Sequence, residues 1–178
     1  MTTPQDVPLL LGLGRLHTNK GFDVLLESLE ILPRHWLWIA GVGPEERALR
    51  ARAQELGVEK RVRFLGWRRD VASLLASADI LVVPSRAEPL GNVIIESWAH
   101  EVPVVAAASA GPMELISHEK DGLLCKVDDP VALADAIIMA DGELAVRLSV
   151  QGLRNYQEKF SEEIVVKKYL HFFESVTR

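Results

Sequence analysis

At 178 residues the chain is long enough for one domain with a real hydrophobic core, and its 48% hydrophobic and 25% charged content is that of an ordinary soluble globular protein. A net charge of −5 argues against sequence-independent nucleic-acid binding, which depends on surplus Lys and Arg, and the single cysteine, Cys125, excludes an internal disulfide and fits a reducing cytoplasm. No apolar run reaches bilayer-spanning length, and Met1-Thr2-Thr3-Pro4 does not read as a signal peptide.

The first apolar run, 9–13, predicts a strand, and a helical period follows over 22–32. A second strand is expected at 36–40 and a helix at 45–56. Pro44-Glu45-Glu46 places acids in the helix first turn, and Gly57 stands where a terminating glycine would. The third strand, 62–65, leads to a helix at 70–77. Around it lie Arg61, Arg63, Arg68 and Arg69, expected as a solvated edge, with a role beside an anionic ligand as the alternative. Strand 80–84 and helix 91–100 come next, then strand 102–106 and helix 112–117. Strand 123–127 carries Cys125, expected as a small core residue. Asp128-Asp129-Pro130 predicts a cap and an N1 proline, opening a helix that runs to about Ala140. Two helices at 143–159 and 162–176 complete the chain. Ser161 is the expected cap of the second, whose apolar face should pack on protein rather than on membrane.

Near-continuous apolar strands alternating with helices imply an α/β fold: one doubly wound, mostly parallel, six-stranded Rossmann-like sheet with additional C-terminal helices, all within one domain, 1–178. In the strand order 3-2-1-4-5-6, strands one and four are neighbours. The crevice at their C-terminal ends is where such sheets bind ligands.

The two loops with the most chemistry follow those two strands. Gly12-Leu13-Gly14-Arg15-Leu16-His17-Thr18-Asn19-Lys20-Gly21 joins glycines that admit a ligand to the backbone with two cations, a combination suited to a diphosphate. It is not the dinucleotide fingerprint, because His17 occupies the third glycine position, and no P-loop lysine follows. The second loop runs Pro84-Ser85-Arg86-Ala87-Glu88-Pro89-Leu90-Gly91-Asn92-Val93. Pro89 holds Glu88 extended, and Gly91-Asn92-Val93 opens a helix with free N–H groups that suit an anion. Glu96, amid Val93, Ile94, Ile95 and Trp98, fits either a surface salt bridge or an acceptor for sugar hydroxyls. Arg15, Lys20, Glu88, the 91–93 amides and Glu96 are therefore expected in one cleft. No Asp-x-Asp occurs, no G-x-S-x-G occurs, and the five histidines (His17, His35, His100, His118, His171) lack metal-ligand spacing.

Four ordered blocks carry a resemblance. They are Gly14-Arg15-Leu16 with Lys20-Gly21; Gly41-Val42-Gly43-Pro44; Val62-Arg63-Phe64-Leu65-Gly66 followed by Asp70-Val71; and Glu88-Pro89-Leu90-Gly91 with Glu96, continued by Pro103-Val104-Val105. Over essentially its whole length the chain resembles the retaining family-4 glycosyltransferases of GT-B fold, and specifically their C-terminal, donor-binding domain. The resemblance implies that Arg15 and Lys20 clamp the donor diphosphate and that Glu96 holds the ribose hydroxyls. It also implies that Glu88 contacts the transferred sugar and that Gly14, Leu90, Gly91, Asn92 and Val93 surround sugar or phosphate. Gly66, Trp67 and Arg68 would lie near the base, although Trp67 could equally be core. The implied catalytic set is Glu88, Arg15 and Lys20, with no metal and no cofactor beyond a UDP-sugar or GDP-sugar substrate. The implied acceptor is a glycan or lipid-linked molecule held by an N-terminal domain that this chain lacks. Alone, the chain would bind donor without transferring it. The full-length enzyme would be cytoplasmic, with peripheral association at the inner membrane face.

The pattern departs from the family in two places. His100-Glu101 stands where a glycine usually precedes Val-Pro, and Ala110-Gly111-Pro112-Met113-Glu114 replaces Gly-Gly-x-x-Glu, which puts the loops near the donor sugar in question. A nucleotide-sugar epimerase of similar architecture, a nicotinamide-binding domain and a non-catalytic nucleotide-binding module remain as rival readings.

Overall fold

In the computed structural model, which describes residues 3–4 and 6–176, the apolar runs pair as six parallel strands. These are β1 (Leu9–Leu13), β2 (Trp36–Ala40), β3 (Val62–Gly66), β4 (Ile80–Val83), β5 (Val104–Ala107) and β6 (Leu123–Cys125), in the spatial order β3-β2-β1-β4-β5-β6. Successive strand residues alternate between two cores. Leu10, Ile80, Val82 and Val105 face α1 (Phe22–Ile31), α2 (Glu46–Glu55) and α6 (Pro130–Met139). Leu11, Leu81, Val83, Val104 and Ala106 face the other layer, with α3 (Val71–Leu75), α4 (Asn92–Ala99) and α7 (Gly142–Lys159). Burial on both faces is why the strands read as unbroken apolar runs rather than as an alternation.

Several boundaries are decided by single groups. Strand β5 starts at Val104, not at 102, because Val102 N–H closes the end of α4 on Ser97 O (3.1 Å) and Pro103 has no N–H to give. Helix α5 (Ala110–Leu115) begins two residues earlier than its predicted 112–117 and accommodates Pro112 in its first turn. Gly57, at φ +67°, follows α2 as a terminating glycine should, and Asp129 caps α6 by accepting Ala132 N–H (3.0 Å). Asp141 starts α7 in the same way through Gly142 N–H (2.7 Å). Before α8 (Glu162–Val176), the Ser161 hydroxyl donates backward to Gln157 O (3.1 Å).

One expectation is corrected. Arg61 is no solvated edge: its Nη1 donates to Leu32 O (2.6 Å) and His35 O (2.8 Å), and its Nη2 to Leu29 O (2.8 Å). It thereby gives a second donor to the Leu29 and Leu32 carbonyls, which already accept from Leu32 and His35 N–H, and ties the end of α1 to the start of β3. Arg63 likewise lies over the Trp36 ring, 4.8 Å from its centroid. Among the described residues α8 mainly meets α7; Ile164 and Val165 are partly buried, while Tyr169, Leu170, Phe172 and Phe173 are each more than half exposed. Cys125 is buried as expected, and burial pushes its thiol up to about 11. No described helix is long and apolar enough to cross a membrane.

Candidate functional site

The C-terminal ends of β1 and β4 carry the site. Beyond β1, Gly14 N–H bonds to Ala40 O (3.1 Å) and Leu16 N–H to Val42 O (3.0 Å). Leu16 is fully buried while Arg15 between them points its exposed side chain outward. The chain then turns through a 3₁₀ segment, Thr18–Lys20, which His17 caps by accepting Asn19 N–H at Nδ1 (3.3 Å). Gly21 ends it at φ +63°, packed so closely on Pro84 O that a Cβ would collide with it. That close approach brings the two chemically loaded loops together. Arg86 and Ala87 N–H both bond to Asn19 O (2.8 and 3.2 Å), and Lys20 Nζ reaches Glu88 Oε2 at 2.5 Å.

The Glu88 loop is held from its other side by Gly111, whose N–H donates to Glu88 O (2.7 Å). A Cβ at Gly111 would stand 2.6 Å from that oxygen and 2.7 Å from Leu90 C, so glycine alone fits. The departure at 110–114 therefore keeps the one glycine that the loop rests on. The other departure lies elsewhere: Glu101 follows the far end of α4, beside Asp79, Ile80 and Pro103, away from the two loops.

Gly91 enters α4 at φ +86° with no side chain capping the helix, so the Asn92 and Val93 amides face the cleft without a protein acceptor among the described residues. The cleft has two compartments. One, about 420 Å³, is lined by Gly14, Arg15, Trp67, Arg68, Val93 and Glu96, together with Leu13 and Gly41. The other, about 350 Å³, is lined by Gly14, Arg15, Lys20, Glu88, Leu90, Gly91, Asn92 and Val93. They share Leu13, Gly14, Arg15 and Val93, so Arg15 stands at their junction. Volumes of this size suit small ligands.

Of the residues expected from sequence, only Gly66 lines neither compartment. It ends β3 at φ +67° and accepts Gly41 N–H at its carbonyl (2.8 Å). Trp67 is resolved as a rim residue and not as core: 63% of it is exposed, with the Arg69 guanidinium 5.2 Å from its ring centroid. Arg68 forks onto Asp70 (2.8 and 2.5 Å), and that hydrogen bonding holds the Asp70 carboxyl below its ordinary 3.8. Glu96 is exposed and lines the first compartment; among the described residues its carboxylate has no hydrogen bond or ion pair, so the surface salt bridge is not formed. Sequence reasoning missed Gly41, Val42 and Val71 as lining residues. The Gly41-Val42-Gly43-Pro44 block was the available signal: a Cβ on Gly41 would overlap Gly14 O, which marks a close crossing of the β1 and β2 loops. Among the described residues no group of three or more His, Cys, Asp or Glu could hold a metal ion.

The family model described as "Glycosyl transferases group 1" matches residues 7–140. The chain belongs to that family. It is 40% identical over 177 residues to the lipopolysaccharide core biosynthesis glycosyltransferase LpsE of Rhizobium meliloti, covering 98% of this chain and 52% of LpsE. The structure of Anabaena HepE in complex with UDP-glucose superposes with a TM-score of 0.91 at 27% identity, over 96% of this chain and 49% of HepE. The C-terminal domain of the group 1 glycosyl transferase LpcC from Francisella tularensis has the same fold, with a TM-score of 0.78 at 20% identity, over 88% of this chain and 89% of that domain. The group 1 domain described here thus has the size and fold of a C-terminal GT-B domain, and the chain spans about half the length of the curated relatives it matches.

Proposed function

We propose that this chain is the donor-binding half of a retaining, metal-independent glycosyltransferase that uses a UDP-sugar or GDP-sugar. The observation that carries the reading is the convergence of Arg15, Lys20 and the uncapped N-terminus of α4 on the second compartment, with Glu96, unpartnered among the described residues, in the first. The diphosphate sits where the compartments meet, between Arg15, Lys20 and the Asn92 and Val93 amides. These fixed charges and dipoles stabilise the negative charge that grows on the leaving nucleoside diphosphate as the sugar departs. Glu96 accepts from the ribose hydroxyls, the base lies against Trp67 near Gly66 and Arg68, and Glu88 faces the transferred sugar beside Leu90 and Gly91. UDP-glucose bound to HepE, a relative of the same fold, is consistent with this donor class.

A second domain presents a glycan or lipid-linked acceptor to the open sugar face, in an enzyme that works in the cytoplasm at the inner face of the membrane. Calorimetric titration of the chain with UDP and GDP, with and without a chelator, tests the reading. Binding that is unchanged by chelation is expected; no binding, or a strict need for a divalent ion, overturns it.

A further inference from the structure

Arg86 lines neither compartment, yet its side chain is bonded to three separate segments. Its Nη1 donates to Thr18 O (2.8 Å) and to Asp23 Oδ1 (2.8 Å), and its Nη2 to Asp23 Oδ2 (2.7 Å). Its Nε lies 2.5 Å from Asp128 Oδ1. Its own backbone N–H bonds to Asn19 O (2.8 Å). One side chain thereby ties the Thr18–Lys20 turn, the first turn of α1 and the junction of β6 with α6 to the loop bearing Glu88. Asp128 meets it from the left-handed region, at φ +56°, a conformation that needs support from its surroundings in a residue other than glycine.

We propose that Arg86 is a positioning residue for donor recognition, setting the distance between Lys20 and the N-terminus of α4 by clamping their two loops together. The inference rests on the donor-binding reading above. Two arguments separate it from a merely structural tie. Lys20 follows Asn19 directly and Glu88 follows Arg86 by two residues, so the clamp grips both partners of the Lys20–Glu88 pair next to their own backbones. Its charge is also consumed: with Asp23 and Asp128 both at the guanidinium, the cluster presents no net positive charge to an anion. Whatever Arg86 contributes to binding comes through geometry. Only a planar fork can serve Asp23 twice and still reach Thr18 O, which a lysine ammonium cannot do.

The test compares Arg86→Ala and Arg86→Lys with the unmodified chain by titration with UDP and GDP. Whichever diphosphate binds is then compared with its own nucleoside, which lacks the phosphates. A positioning role predicts that the diphosphate-to-nucleoside affinity ratio falls about tenfold in Arg86→Ala and severalfold in Arg86→Lys, while the nucleoside binds as before. It further predicts that Lys20→Ala weakens diphosphate binding less in the Arg86→Ala background than in the unmodified chain. Wild-type affinity ratios in both variants overturn the proposal, as does a parallel loss of diphosphate and nucleoside, the sign of general unfolding. A parent chain that binds neither UDP nor GDP removes the donor-binding reading itself, and the inference falls with it.

Discussion

Lys20 and Glu88, 68 residues apart in sequence, meet at 2.5 Å across the cleft between β1 and β4. The pair is shielded, with side-chain exposures of 26% and 11%, whereas Arg15, the other cation of the same loop, is exposed and has no protein partner among the described residues. The two cations therefore differ in what their removal does.

Arg15→Ala and Lys20→Ala should each weaken nucleoside-diphosphate binding by about 1.5–3 kcal/mol, the range for a lost charge-assisted hydrogen bond. Only Lys20→Ala should also lower the melting temperature, because it leaves the Glu88 carboxylate half-enclosed without its counter-charge. Calorimetry together with thermal melts distinguishes them. Equal effects of both variants on stability would contradict the structure.

Glu96 lines the first compartment, and among the described residues no donor bonds its carboxylate, which leaves it placed to accept from ribose. Glu96→Ala should reduce the preference for UDP over 2′-deoxy-UDP, or for GDP over 2′-deoxy-GDP, by about tenfold, and leave the melting temperature unchanged. A retained preference would show that the ribose lies elsewhere.

Gly111 fits against Glu88 O and Leu90 with no room for a Cβ. Gly111→Ala should displace the Glu88 loop, lower stability by roughly 1–3 kcal/mol as overpacking does, and weaken diphosphate binding although residue 111 lines neither compartment. A variant melting and binding like the parent would mean that the loop yields freely.

Glu101 occupies the left-handed region at φ +57°, a conformation that favours glycine. Glu101→Gly removes that strain and adds freedom to the unfolded chain, for a net gain of about 0.5–1 kcal/mol and a rise of roughly 2 °C in melting temperature. Donor affinity should not change, since Glu101 lies beyond the far end of α4.

Asp121 is 4% exposed, and burial pushes its carboxyl above 3.8 despite the hydrogen bond it accepts from Ser117 N–H (2.8 Å). A carboxyl whose folded-state pKa is raised disfavours the folded state increasingly as pH climbs through 3.8 toward that folded value, and the penalty persists above it. Asp121→Asn keeps one acceptor oxygen for Ser117 N–H and puts an amide N–H₂ where Asp121 accepts from Asn155 Nδ2, a loss that does not vary with pH, so relative to the parent it should be more favourable at pH 7 than at pH 3. Denaturant melts at the two pH values measure this, and a pH-independent difference would show that Asp121 titrates normally.

Local chemistry in the sequence was sufficient for the element order, the Asp129 cap and Gly57 terminus, and the meeting of Arg15, Lys20, Glu88 and the start of α4 in one cleft, once the strands take the doubly wound order. Each depends on near neighbours: a two- or 3.6-residue period, a turn residue, or a loop directly following a strand. Only the tertiary structure decided that Trp67 is exposed at the rim, that Arg61 closes the end of α1, that Tyr169, Leu170 and Phe172 of α8 are more than half exposed, and that Arg86, Asp23 and Asp128 form one cluster. Those outcomes depend on which segments the crossovers bring together. A side chain's partner 63 residues away, as Asp23 is from Arg86, leaves no mark on the periodicity around either residue.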